Sequence, residues 1–282
     1  MHDIFFFTDL HGNYSLFRAM VNWCYEQDPD CTIVYGGDAA DRGEDGYRIM
    51  QELLEDPHVI YLYGNHEDLF IKAADAIIAE YDEHIARPCF TRQAEIILQH
   101  MCDLYDHDVR LHLYNGGQST LVSWLCSDNR KEMVERIRTL PRTFTYNNMD
   151  FCHAGGTYSA FRAVADAEYL QTELPGYGVH RIIWDRDNLL TPWPDNRVCI
   201  HGHTPVINLP TSIYGRDDSL ERIKPCAWNP RNGGWKIDMD TAAVWSNRAY
   251  VLNCNTFTAY GFEKDHKSDE EPIHFDIQTH TP

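Results

Sequence analysis

Thr32-Ile33-Val34-Tyr35-Gly36-Gly37-Asp38-Ala39-Ala40-Asp41-Arg42-Gly43 passes from an apolar, β-branched run through two glycines to two carboxylates and an arginine. Such a run favours extended backbone, and a glycine pair permits a sharp turn and close approach. The stretch therefore predicts a strand that ends abruptly in polar chemistry. Four other stretches have the same form. Ile4–Phe7 leads to Thr8-Asp9-Leu10-His11-Gly12, and Val59–Tyr63 to Gly64-Asn65-His66-Glu67. Met149–Cys152 leads to His153-Ala154-Gly155-Gly156, and Val198–Ile200 to His201-Gly202-His203-Thr204.

Between the first two runs, Phe17, Met20, Val21 and Cys24 recur at helical spacing, with Asn13 or Ser15 as the N-cap. Tyr47, Met50, Leu53 and Leu54 repeat the pattern before Asp56-Pro57 stops the helix. The β-α-β-α-β order predicts an α/β fold with parallel strands. In such sheets the ligand crevice lies beyond the carboxyl ends of the strands, where all five polar stretches fall.

Working outward, Leu69, Phe70, Ala73, Ile77 and Tyr81 mark one helix; Ala94, Ile97, Leu98, Met101 and Tyr105 mark another; Met133, Val134, Ile137 and Leu140 mark a third, ended by Pro141. Residues 68–145 are thus expected to be a helical insertion, a cap or wall of the pocket, within one domain spanning 1–282. Trp235–Asp238, Ala249–Cys254, Tyr260–Phe262 and Ile273–Ile277 are β-like and are expected to supply a second sheet. Lys264–Glu271 is charged and predicts a solvated loop.

The 282 residues, 43% hydrophobic, suffice for one large domain with a core. Lys and Arg number 24 against 43 Asp and Glu, a net charge of −19 that argues against a nucleic-acid partner. The nine cysteines form no CxxC pair, which leaves no zinc ribbon or thioredoxin-like motif. Met1-His2-Asp3 carries no basic segment ahead of Ile4–Phe7, and that apolar run is too short for a signal peptide or membrane span. A reducing, cytoplasmic setting without a membrane partner is expected.

Asp9 and His11 are two apart, so an extended backbone would turn both side chains the same way. A carboxylate and an imidazole together suit a first-row metal such as Mn²⁺, Fe or Zn²⁺. Asp38, at the next strand end, has two oxygens that can bridge two cations. Asn65, His153 and His203 arrive from other strand ends and would complete the second ion's shell. A hydroxide shared by two cations stays nucleophilic near neutral pH, and the cations stabilise charge on phosphoryl oxygens. His66 would then serve as general acid, with Asp41 holding its imidazole. Arg42 and Arg186 would grip non-bridging phosphate oxygens.

Asp9-x-His11-Gly12, Gly37-Asp38-x-x-Asp41-Arg42-Gly43, Gly64-Asn65-His66-Glu67, His153-Ala154-Gly155 and Gly202-His203-Thr204 resemble, in order, the signature of the phosphoprotein phosphatases, a branch of the calcineurin-like metallophosphoesterases. The likeness runs from Asp3 to about Thr204 and is greatest to compact bacterial and phage-type serine/threonine phosphatases, which carry an element like Trp184-Asp185-Arg186. It implies a β-sandwich flanked by helices. It also implies two divalent ions, Mn²⁺ in the first place with Fe or Zn²⁺ as alternatives. Asp9, His11 and Asp38 would hold one ion, and Asp38, Asn65, His153 and His203 the other. The implied activity is serine/threonine phosphatase, using a metal-bridging hydroxide on a phosphorylated protein or small phosphorylated substrate.

Each stretch alone has a plainer reading: a polar strand cap, a turn with a helix N-cap, a surface ion pair. Their joint order outweighs these. Symmetrical bis(5'-nucleosyl)-tetraphosphatases share all five motifs and are the alternative. A diesterase is disfavoured, since Thr204-Pro205 follows His203 where diesterase relatives show Gly-His-x-His. A metal-free scaffold is disfavoured because every ligand position is filled. His100, Asp103, Asp106, His107, Asp108 and His112 are expected to form a solvated turn, His201 to be structural, and Glu67 to sit at a helix start. Trp193, Trp228, Trp235 and Trp245 are expected to pack in the core or loops.

Overall fold

β1 (Ile4–Phe7) buries all four of its side chains. Phe5 and Phe7 belong to one apolar cluster with the helices, whereas Ile4 and Phe6 join another with Phe151, Ile200 and Ile237. A strand covered on both faces reads as a continuous apolar run, which is why β1 shows no alternation. The computed structural model describes residues 2–81, 87–214, 223–264 and 272–277. In it, two sheets face one another across the second cluster.

The first sheet has the order β11-β10-β9-β1-β2-β3. β2 (Thr32–Tyr35) runs parallel to β1 with Ile4 opposite Thr32, and β3 (Val59–Tyr61) runs parallel to β2. The connections are α1 (Tyr14–Gln27), capped by the Asn13 side chain, and α2 (Gly46–Glu55). β9 (Arg248–Asn253) pairs antiparallel with the other edge of β1, followed by β10 (Thr258–Glu263) and β11 (Ile273–Asp276). The second sheet has the order β4-β5-β6-β8-β7. It comprises β4 (Phe144–Tyr146), β5 (Met149–Phe151), β6 (Val198–His201), β7 (Cys226–Trp228) and β8 (Trp235–Asp238), with β5, β6 and β8 parallel.

The fold is therefore mixed α/β, a two-sheet sandwich with helices outside. One expectation needs correction: the C-terminal strands do not form the second sheet by themselves. β8 joins it beside β6, whereas β9, β10 and β11 extend the first sheet. Apolar pattern marks a strand, but long-range pairing decides its sheet.

Among the described residues, five helices lie between β3 and β4: α3 (Asn65–Tyr81), α4 (Thr91–Asp103), α5 (His107–Tyr114), α6 (Gln118–Leu125) and α7 (Arg130–Arg138). Within 68–145 the spacing predicts three helices; α5 and α6 go unread because eight residues span barely two turns, too few to show a period, and the end of the segment is β4. The sequence reading also leaves residues 157–185 without an element, where the chain forms α8 (Tyr158–Leu170) and α9 (Gly176–Trp184). A last short helix, α10 (Ala243–Ser246), precedes β9. Of the charged stretch expected to be a solvated loop, residues 265–271 lie outside the described residues. Among the described residues no helix is long and apolar enough to cross a membrane. All nine cysteines are free thiols.

Candidate metal centre and its cleft

The carboxyl ends of β1, β2 and β3 meet those of β5 and β6, so the polar stretches of both sheets converge. Asp9, His11, Asp38, Asn65, His153 and His203 are each at most 4% exposed. Two buried groups of ligand atoms result: His11, Asp38 and His66 in one, Asp38, His153 and His203 in the other. Asp38 is common to both. Its Oδ2 lies 3.7 Å from His11 Nε2, and its Oδ1 lies 3.3 Å from His153 Nε2. Asn65 Oδ1 lies 2.9 Å from His153 Nε2 and 2.8 Å from His203 Nδ1. Asp9 Oδ2 is held by the Thr8 hydroxyl (2.7 Å) and the His203 backbone N–H (3.1 Å).

The fit of these residues to cations can be tested on the imidazoles. In each, the outer nitrogen donates to a backbone carbonyl: His11 Nδ1 to Ala40 (2.9 Å), His153 Nδ1 to Gly36 (2.8 Å), His203 Nε2 to Trp184 (3.2 Å). A carbonyl only accepts, so it draws the hydrogen outward and leaves the inner lone pair for a metal. Inward-facing imidazole, carboxylate and amide oxygen atoms suit a first-row divalent cation. The field agrees. Burial opposes charge on His153, yet the facing Asp38 carboxylate raises it to about 10, so positive charge is favoured at that point. His11 falls to about 3 through burial, then through neighbouring His66 and Arg42. Burial would raise Asp38, but His153 and His66 hold it well below the usual carboxylate range.

The loops are strained to make this convergence. Asp9, His11, Asp38, Asp41, Arg42 and His203 all have positive φ, between 45° and 72°. Such backbone costs about 1–3 kcal/mol per residue and persists where surrounding bonds over-determine it. Glu67 supplies several of those bonds. Fully buried, it accepts from the backbone N–H of Asp38 (2.8 Å), Ala39 (3.0 Å) and Gly64 (2.9 Å) and from the Tyr61 hydroxyl (2.7 Å). It does sit in the first turn of α3, as expected, but it also ties the β2 and β3 loops together. Gly202 must be glycine for a different reason: a Cβ there would lie 2.1 Å from Asp9 Oδ2.

His66 lies beside this centre. Its Nδ1 donates to Asp41 Oδ2 at 2.7 Å, which leaves Nε2 toward the cleft. Burial lowers its basicity, but Asp38 and Asp41 outweigh this and raise it. Arg42 places Nη1 2.7 Å from His11 Nε2 and Nη2 3.1 Å from His66 Nε2. Arg186 donates to the His203 carbonyl at 3.3 Å. Both arginines line a cleft of about 620 Å³ together with Asn65, His66 and His203. Much of its remaining wall is α9 and its C-terminal turn, including Trp184 of the Trp184-Asp185-Arg186 element and Tyr177, His180 and Arg181, which the sequence reading did not single out. From the 68–145 segment, Asn115 lines this cleft.

One expectation fails here. His112 does not belong to a solvated turn: it is fully buried and bonds to Asp41. Of the tryptophans expected in the core or loops, Trp245 is outside the core: it is 56% exposed, with the Arg42 guanidinium 5.4 Å from its ring. His201 is fully buried and is absent from both ligand groups.

No curated protein matches the sequence. Among solved structures, similarity extends to a cold-active protein tyrosine phosphatase at 14% identity, covering 97% of this chain and 79% of the other, with a TM-score of 0.51. A protein provisionally described as a diadenosine tetraphosphatase matches at 12% identity, 99% and 95% coverage and a TM-score of 0.49. A serine/threonine phosphatase from Saccharomyces cerevisiae matches at 12%, 99% and 81%, and 0.46. At 14% identity the first of these speaks to fold alone, and nothing is drawn from the other two. The sequence profile of the calcineurin-like phosphoesterases, by contrast, matches residues 2–223. With that match and the buried Asp and His groups at the strand ends, the chain belongs to the calcineurin-like phosphoesterases, metal-dependent hydrolases of phosphate esters.

Proposed function

We propose that the chain is a serine/threonine protein phosphatase of the phosphoprotein phosphatase type that uses two divalent cations. The observation that carries this reading is that Asp38 is common to both buried ligand groups, and that His66 of one group and His203 of the other line a cleft that also presents Arg42 and Arg186. Asp9, His11 and Asp38 would hold one ion; Asp38, Asn65, His153 and His203 would hold the other. When bound, such ions activate the attacking water and stabilise charge on phosphoryl oxygens. The mixed nitrogen and oxygen donors accept Mn²⁺, with Fe or Zn²⁺ as alternatives.

The protein's own groups do the rest. Arg42 and Arg186 offer planar forks to non-bridging oxygens, and two such forks match a dianionic monoester better than a diester. Asp41 fixes His66 with Nδ1 occupied, so Nε2 can hand a proton to the departing oxygen. The free cysteines support a reducing, cytoplasmic setting.

The test is turnover with Mn²⁺ on phosphoserine, phosphothreonine and phosphotyrosine peptides and on diadenosine tetraphosphate. Preference for the first two is the expected result. A strong preference for the nucleotide overturns the phosphatase assignment in favour of the tetraphosphatase.

A further inference from the structure

One more imidazole is buried against the catalytic pair, and it comes from the helical segment after β3. His112, on α5, is fully shielded from solvent, with Nε2 2.8 Å from each carboxylate oxygen of Asp41. Asp41 is itself fully buried and already accepts from His66 Nδ1 at 2.7 Å. Burial would raise Asp41, but His112 and then His66 hold it well below the usual carboxylate range, so it stays an anion that only accepts. Both facing nitrogens therefore carry hydrogen.

His112 is not buried for its own satisfaction. Its Nδ1 has no hydrogen-bond partner, an unfavourable state for a shielded polar atom. The position is closely enclosed: a Cβ on Gly117 would lie 2.3 Å from the His112 ring. The same segment grips the backbone of the loop. Asp41 N donates to Thr120 Oγ1 (3.0 Å), Arg42 N to the Gly116 carbonyl (2.9 Å), and Ser119 Oγ to the Gly43 carbonyl (2.7 Å).

We propose that His112 is a positioning residue for proton delivery: it pins the Asp41 carboxylate, which in turn aims His66 Nε2 at the leaving oxygen. The inference rests on the phosphoesterase reading above. The proton passes from His66 Nε2 to that oxygen; Asp41 stays ionised throughout, and His112 keeps its own hydrogen. Without His112, Asp41 would keep one imidazole partner in a dry pocket and could turn about its side-chain bonds, taking His66 with it.

Proton delivery matters in proportion to the basicity of the leaving oxygen, and this gives a readout that loosened packing would not move. The experiment compares kcat/KM of the Mn²⁺-loaded full chain on 4-nitrophenyl phosphate, whose phenolate departs unaided, and on a phosphoserine peptide, whose alkoxide does not. His112→Leu fills similar space without a donor; His112→Gln keeps an N–H. The expected result for His112→Leu is a loss of about 10- to 100-fold on the peptide and at most about threefold on the nitrophenyl ester, part of what general acid catalysis supplies. His112→Gln should recover much of the loss, and Asp41→Asn should show the same bias more strongly. Equal losses on both esters, or no loss, overturn the role of His112 while the phosphoesterase reading stands. An unbiased Asp41→Asn removes the general-acid assignment as well. A wild-type chain inert on both esters removes the phosphoesterase reading itself.

Discussion

Asp38 Oδ1 and His153 Nε2 lie 3.3 Å apart although they follow strands of different sheets, β2 in the first and β5 in the second. Both side chains are buried, and Gly37 permits the approach: a Cβ there would meet His153 Nδ1 at 2.9 Å. The contact is where the two halves of the centre are joined, and four predictions depend on it or its neighbours.

Asp38→Asn keeps the shape of the side chain but removes the one charge common to both ligand groups. Turnover should fall by more than the roughly 10- to 100-fold that outer partners of metal ligands contribute. Elemental analysis of the purified variant should show reduced metal. Retained activity on every substrate would mean that hydrolysis arises elsewhere.

Glu67→Gln places an amide N–H₂ against one side of a carboxylate nest that now accepts from three backbone N–H groups and a hydroxyl. Facing donor to donor should cost about 1–3 kcal/mol of stability. The loosened Asp38 loop should weaken metal binding about 10- to 100-fold. Denaturant unfolding and competitive chelator titration measure the two effects; unchanged metal affinity would show that Glu67 acts only on folding.

Gly202→Ala tests the approach of β6 to β1. The added methyl would stand 2.1 Å from Asp9 Oδ2, so the loop or the carboxylate must move. Activity should drop at least about tenfold, since small displacements of positioned groups are costly. An active variant with unchanged metal content would show that this loop yields freely.

The chelator-stripped protein should become less stable as pH rises. His153 is raised from 6.5 to about 10 in the fold, chiefly because Asp38 overcomes burial. A group raised on folding contributes stability that is full below its unfolded value and lost as pH climbs through the folded one. The window is therefore about 6.5 to 10. Thermal melts across that range, with and without Mn²⁺, check it: the bound cation takes the proton's place, so the decline should be shallower with metal. A metal-free melt that is flat over the window would refute the assignment of charge to His153.

Much of the centre was legible before any tertiary contact was known. Ile4–Phe7 and Thr32–Tyr35 declare themselves as strands by composition, and the glycines, carboxylates and imidazoles after them declare where they end. This is local information, because a strand's tendency and a turn's chemistry reside in adjacent residues. The same local logic failed for α5 and α6, which are short and weakly periodic, and for α9, whose Tyr177 and Trp184 face the cleft only because of how the helix packs.

By itself, then, the sequence determined most of the strands though not β4 or β7, the positions of the polar stretches at the carboxyl ends of five of them and the residue types available to hold cations. Tertiary structure decided that β9 joins β1 while β8 joins β6, that Asp41 meets His112, 71 positions further along the chain, and that α9 walls the cleft. The reason is the same in each case. Pairing between distant segments depends on which burial satisfies the whole chain at once, and no single stretch carries that sum.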